Sequence, residues 1–362
     1  MRAIREVEMM KRSFVILILF FSLISLSSCS KNPSLPGNNT GNAAQTENTS
    51  ELSIKAVFPF TENTKYSYEG KGNKYASYTV YTDFIEGDRI QQRFNNGGTE
   101  TVKVFENKNG ELTLLLSKGE SYYRENLTKS SSENGEILLK EPLKKGTSWV
   151  LPDNRKRYIS NEGVPIKTSS GDYQALEVTT ENEQGKTLDY YAPSVGLVKT
   201  EYISNELTVS STLAKLEKNI LFQQTVQFYY PNIQNNKLYA VKKTLSFHTN
   251  DLTKQVLEKE YKNIPQGDLA KVLSAQTKIN SLYLNKDGMV YIDFSKELIS
   301  EMNAGSGYES MILQSITNTI GTYYGAEKVY ITVEGKPYAS GHFEMKKGEA
   351  FKVNLTNSIQ RS

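Results

Sequence analysis

Hydrophobic and polar residues alternate along most of this chain, and the alternation gives way to a helical period only near its C-terminal end. From Leu52 to Leu216 the pattern is short period-two alternation interrupted by turn residues, with no helical stripe. Tyr75–Ile85, Asp88–Phe94, Thr99–Glu106 and Leu112–Leu116 read as successive strands. Tyr173–Thr180, Thr187–Ala192, Leu197–Tyr202 and Glu206–Leu216 read as a second run. Asn109-Gly110 predicts a tight hairpin, because both residues tolerate the positive backbone angles of a two-residue connection, and Asn95-Asn-Gly-Gly98 predicts another turn. The expectation for residues 52–216 is an all-β domain, an antiparallel barrel, half-barrel or sandwich.

Beyond Leu216 both periods occur. In Gly288-Met-Val-Tyr-Ile-Asp-Phe294 the side chains of Val290, Ile292 and Phe294 share one face, which predicts a half-buried strand. Ser295 is a candidate N-cap for a short helix to Asn303. After the Gly305-Ser-Gly307 break, Tyr308, Met311, Ile312, Ser315, Ile316, Thr319, Ile320 and Tyr323 recur three and four apart, forming a single apolar stripe that Gly325 ends. Val329, Ile331 and Val333 then alternate before the Gly335-Lys-Pro337 turn. An α+β domain over residues 217–355 follows, with two or three helices on a mixed sheet and a polar, frayed tail at 356–362. The join near Lys215–Leu221 contains no Gly/Pro/Ser-rich spacer, so the two domains are expected to pack rigidly.

The three blocks Gly288–Leu298, Ile316–Ile320 and Val329–Gly335, in this order and spacing, resemble the GerMN domain of sporulation and germination lipoproteins. Val226-Gln-Phe-Tyr-Tyr-Pro231, Leu238-Tyr-Ala-Val241 and the helix-like stretch Asn250–Ile264 stand where that family has its opening strands and first helix. The resemblance spans roughly Thr225–Val353. It implies a domain similar to the ring-building motifs of secretion systems, assembling side by side between mother cell and forespore. The contact surfaces it suggests are a strand edge bearing Val226, Phe228 and Tyr230, and the exposed side of the helix that begins near Tyr308.

Glu141-Pro-Leu-Lys-Lys-Gly-Thr-Ser-Trp149, together with Tyr190-Tyr-Ala-Pro-Ser-Val-Gly-Leu-Val-Lys199, resembles a pattern in all-β extracytoplasmic domains of bacterial surface proteins. It implies fold and location. Trp149, the chain's single tryptophan, reads as a core plug; lining a ligand surface is the other reading. The tyrosines of this half fit ordinary strands, with a sugar-stacking face as the alternative.

At the N-terminus, Arg2, Arg5, Lys11 and Arg12 precede an apolar run from Phe14 to Leu26, and Leu26, Ser27, Ser28 and Cys29 close it. This is the pattern of a lipoprotein signal peptide over residues 1–28, too short in its apolar part for the ~20 residues of a bilayer span. Translation from Met9 or Met10 would leave Lys11-Arg12 as its basic end. Cys29, the only cysteine, is then the lipidation site, with a diacylglyceryl group (and palmitate-type acyl chains) as membrane anchor and no thiol left for disulfides or catalysis. Residues 29–51 carry scarcely an apolar side chain and read as a disordered tether reaching about 25 Å. The folded part is expected outside the cytoplasm, anchored to the cell membrane.

Net charge is +3, much of it in the leader, which argues against dedicated nucleic-acid binding. The two histidines, His248 and His342, lack zinc-motif spacing. Asp287 and Asp293 could share a strand face, but Asp287 reads as a turn residue and Asp293 as a helix-entry cap. No catalytic residue, cofactor or metal site is expected, and the chain reads as a non-enzyme. Two functions remain: a lipid-anchored envelope protein of sporulation or germination acting through protein partners or self-assembly, or a peptidoglycan- or glycan-binding cell-wall protein.

Overall fold

The computed structural model of this protein describes residues 51–131 and 134–361. After a one-turn helix α1 (Ile54–Val57), twelve strands follow: β1 (Thr64–Lys71), β2 (Tyr78–Glu86), β3 (Arg89–Asn95), β4 (Glu100–Lys108), β5 (Glu111–Lys118), β6 (Glu136–Lys140), β7 (Ser148–Val150), β8 (Lys156–Thr168), β9 (Gly171–Asn182), β10 (Gly185–Ala192), β11 (Gly196–Ser204) and β12 (Thr208–Lys218). They form one antiparallel sheet whose spatial order is the sequence order, with β1 paired to β12. Only the step from β6 to β7 lacks a backbone ladder. Side chains bridge that seam: Trp149 Nε1–H donates to the Ile137 carbonyl at 2.8 Å, and Arg157 Nε–H to the Leu138 carbonyl at 3.0 Å. The result is a nearly closed barrel. Trp149 is buried at the seam, a core plug. Ile54 and Val57 of α1, with no exposed surface, close one end of the interior against Phe105, Leu112 and Leu139.

The Asn109-Gly110 turn forms as its residues require, with φ of +54° and +74°. Four strands lie outside the sequence expectation: β1, β6, β7 and β8. β8 contains Gly163 and Pro165, which mark strand breaks in most contexts. Here β7 covers only its first three residues, so the rest is an edge where a missing donor is tolerated, and its pairing with β9 shifts register twice.

The second half comprises β13 (Phe222–Asn232), β14 (Lys237–Phe247), α2 (Thr253–Lys262), β15 (Ile279–Leu284), β16 (Val290–Phe294), α3 (Glu297–Ser300), α4 (Ser306–Tyr324), β17 (Lys328–Val333), β18 (Lys336–Pro337), β19 (Phe351–Lys352) and β20 (Ser358–Arg361). Three helices and mixed strands form the expected α+β unit, but the strands divide between two sheets. β13-β14-β20 is one; β15-β16-β17-β18, with β19 on β17, is the other. The polar end of the chain is not frayed: residues 358–361 pair in parallel with β14 as β20. α4 ends at Gly325, which adopts φ +67°. The helix is buried nearly all round, because its polar positions Ser315, Thr317, Asn318 and Thr319 are short and bonded. Ile312, Leu313, Ile316 and Ile320 belong to a single core with Phe228, Leu257, Ile292 and Ile331. Burying each such side chain contributes roughly 1.5–3 kcal/mol.

Residues 50–362 make one compact unit, and a buried polar joint ties the barrel to the α+β half. Arg93 Nη2 lies 3.0 Å from Asp83 Oδ2, and Arg124 Nε lies 3.6 Å from Asp83 Oδ1; all three side chains are essentially without solvent contact. The second distance is an ion pair beyond hydrogen-bond reach. Arg124 also donates to the carbonyls of Asp83 (2.6 Å), His248 (3.1 Å) and Asp251, and its guanidinium lies between the rings of Phe84 and Phe247. Thr253 Oγ1–H donates to the Arg124 carbonyl at 2.8 Å, and the Arg124 N–H donates to Tyr323 Oη at 3.0 Å. Burial pulls the Arg124 pKa down, opposed by Asp83. Backbone carbonyls of both halves offset much of the cost of burying these charges, while Asp83 Oδ1 and Arg124 Nε face each other at 3.6 Å with no hydrogen-bond partner of their own. Asn250 extends it: its N–H donates to the Asp83 carbonyl (3.0 Å) and its Oδ1 accepts from the Ile85 N–H (2.8 Å).

Candidate functional site

Alternation in β15, β16 and β17 sends Val290, Ile292, Phe294, Val329, Ile331 and Val333 into the core and leaves the opposite face to Tyr283, Tyr291 and Tyr330. The three tyrosines are register neighbours across the strands. The rings of Tyr283 and Tyr291 stack at 5.5 Å and 19°, and those of Tyr291 and Tyr330 meet at 5.0 Å and 58°. Tyr283 is 46% exposed. Tyr291 O–H donates to Asp287 Oδ2 at 2.9 Å, and this bond raises the Tyr291 pKa; the Met289 N–H, donating to Asp287 at 2.9 Å, is the main reason the carboxylate's own pKa is lowered. Two residues along lies a polar row. Asp293 accepts from Thr332 Oγ1–H (2.6 Å), the Gly335 N–H (2.8 Å) and Asn280 Nδ2–H (2.9 Å). Three tyrosine rings thus lie in one row, with the Tyr291 hydroxyl held by Asp287, beside a hydrogen-bonded polar row. Its carboxylates are occupied as turn and strand ties, so Asp293 is no helix cap.

The residues expected at the surface lie elsewhere. Val226, Phe228 and Tyr230 are 4%, 0% and 0% exposed, because they are the apolar set of β13 and pack on α2, with Phe228 5.2 Å from the Tyr261 ring. The β13 edge is also occupied: the Tyr229 N–H donates to Thr319 Oγ1 at 3.0 Å, its carbonyl accepts from Tyr261 Oη–H (3.1 Å) and Ser315 Oγ–H, and the Pro231 carbonyl accepts from the Ala270 N–H at 2.7 Å. α4 thus covers the strand it was expected to leave open, and offers no broad exposed side of its own. Tyr308 is half-buried and donates to the Lys271 carbonyl. Leu26, Ser27, Ser28 and Cys29 lie outside the described residues.

Both histidines serve local ties. His248 Nδ1 lies 3.2 Å from Asp251 Oδ2. His342 Nδ1 lies 2.6 Å from Glu309 Oε2, while Tyr338 Oη–H donates to Glu309 Oε1 at 2.6 Å, beside a cleft of about 450 Å³. Burial pushes the Glu309 pKa up, but hydrogen bonds from Ser340, Tyr338 and His342 outweigh it and hold the carboxyl below its ordinary value. With both oxygens taken, Glu309 fastens the 338–342 segment to the first turn of α4, where a carboxylate also suits the helix dipole. Among the described residues no cluster of three metal-ligating side chains occurs, and no helix is long and apolar enough to cross a membrane.

The family model for the Germane domain, described as sporulation and spore germination, matches residues 227–339. No curated protein matches the chain. Among solved structures, the tandem GerMN domains of the sporulation protein GerM from Bacillus subtilis are 24% identical over 38% of this chain and 46% of theirs, with a TM-score of 0.26. The first GerMN domain of the same protein is 28% identical over 32% of this chain and 86% of that one, with a TM-score of 0.25. A Bacteroides fragilis protein described as exported, with a YmcC-like fold, is 13% identical over 45% of this chain and 99% of its own, with a TM-score of 0.30.

Proposed function

We propose that this chain, whose residues 227–339 are a Germane domain, is a lipid-anchored extracytoplasmic protein of sporulation or germination that works by binding other proteins rather than by catalysis. The observation that carries the binding role is the tyrosine row on the outer face of β15-β16-β17. Tyrosine supplies large, rigid contact area at small entropic cost and is enriched at interface hot spots, and here three rings are already ordered against one another. Cys29 supplies the anchor through its diacylglyceryl group. Wall-glycan binding is the second reading, favoured by the same ring faces.

The test is the mass distribution by light scattering of residues 50–362 across a concentration series, alone and with envelope proteins of a sporulating culture. The native chain is expected to form discrete larger species, and Tyr291→Ser with Tyr330→Ser to abolish them while leaving the fold intact. Persistent monomer in every mixture, or assembly indifferent to both substitutions, contradicts the reading. Co-sedimentation with purified wall, lost on the same substitutions, would support glycan binding instead.

A further inference from the structure

The barrel encloses a chamber of about 410 Å³, within the range of small-molecule sites. Its walls include Tyr66, Tyr68, Tyr78, Phe94, Phe105 and Tyr191. The rings of Tyr68 and Tyr78 stack at 4.6 Å and 21°, and Tyr78 lies 5.9 Å from Phe94. Tyr75, 51% exposed, and Thr99 of the β3–β4 turn also line it, so the chamber reaches solvent at that end.

Two polar side chains enter this aromatic space without a partner. Lys103 on β4 holds its ammonium 4.6 Å from the Phe94 centroid and makes no hydrogen bond or ion pair among the described residues. Gln92, its cross-strand neighbour on β3, is 8% exposed, and its side-chain amide likewise has no hydrogen-bond partner there. Lys103 is half-buried and Gln92 buried, and an uncommitted cation and amide side by side on the wall of an aromatic cavity mark a place where a bound molecule can supply the acceptor. The carboxylates nearest Lys103 are committed. Asp189 accepts from Arg157 (2.8 Å) and Thr200 (2.6 Å), and Glu136 lies 3.7 Å from Arg155. Burial depresses the Lys103 pKa, opposed by the Glu136 and Asp189 carboxylates.

We propose that the chamber binds a small organic anion with a flat apolar body, its anionic group taken by Lys103 and Gln92 and its body by the tyrosine and phenylalanine faces. The inference is independent of the tyrosine row on the Germane domain.

The probes are 8-anilinonaphthalene-1-sulfonate and N-phenyl-1-naphthylamine, which share their rings and differ by the sulfonate. Fluorescence titration of residues 50–362 is expected to show one saturable site for the sulfonate, about tenfold tighter than for the neutral amine. Lys103→Met should reduce sulfonate affinity about tenfold and leave the amine unchanged. Lys347→Met, which removes an exposed charge, should change neither. Lys103→Met removes an unpaired cation from apolar surroundings, so its melting temperature should equal or exceed that of the native chain, showing that lost binding is not lost folding. Equal affinity for the two probes, unchanged sulfonate binding in Lys103→Met, or no saturable binding of either probe overturns the proposal.

Discussion

The barrel and the α+β half bury their interiors in different ways. A sheet that curls on itself encloses axial space, and here α1 and Trp149 fill one part while a ring of aromatic residues leaves the rest open around Lys103. The α+β half has α4 among its strands, with polar positions bonded to backbone and its apolar residues in one core, and its cleft beside Glu309 lies at one end of α4. The difference places the two proposed sites differently: inside the barrel, and on the outer tyrosine face of the α+β half.

The comparison is broken most severely at the joint. Arg124→Ala leaves the buried Asp83 with Arg93 as its one remaining cation and takes a donor from each of three carbonyls, so a loss of about 3–5 kcal/mol is expected in urea unfolding. The single transition expected of residues 50–362 should then separate into two, one for each half. One unshifted transition would mean that the halves are coupled by something other than this joint.

Acid weakens both halves, since each carries carboxylates with lowered pKa values such as Glu86 and Glu309, and a variant separates the contribution of the α+β half. The Glu309 pKa is lower folded than unfolded, so its contribution is complete above the ordinary glutamate value of about 4.3 and is lost as pH falls through the lower folded value. The midpoint of urea unfolding should fall across that window, and Glu309→Gln should flatten part of the fall. An unchanged slope in the variant would remove Glu309 from the account. The smallest effect belongs to the barrel seam. Trp149→Phe keeps an aromatic plug but loses the bond to the Ile137 carbonyl, for which a loss of about 1 kcal/mol is expected.

Much of this architecture was legible locally. The Asn109-Gly110 hairpin, the α4 stripe ending at Gly325, and the inward faces of β16 and β17 follow from turn chemistry and period. The outward Tyr291 and Tyr330 could be read from the same alternation, but nothing in a single strand says that three tyrosines fall in register. What failed depended on distant partners. β8 hides behind Gly163 and Pro165, acceptable only because most of it is an edge. The apolar set of β13 marks which side is buried, so Val226, Phe228 and Tyr230 signalled core, and the edge they were expected to offer is covered by a helix nearly a hundred residues on. In β4, Val102 and Val104 suggest a single buried face; the other face is half-buried, and Lys103 on it lines the chamber. Asp83, Arg93 and Arg124 carry no local pattern at all, since their meaning arises only when the two halves meet.

The most direct measurement is photo-crosslinking in living cells with a benzophenone side chain at position 291, and at Leu207, an exposed barrel residue, as control. A protein adduct formed at 291, absent at 207 and lost when Tyr283 and Tyr330 are replaced by serine is the result this account predicts. No protein adduct at 291, or equal adducts at both positions, would contradict it.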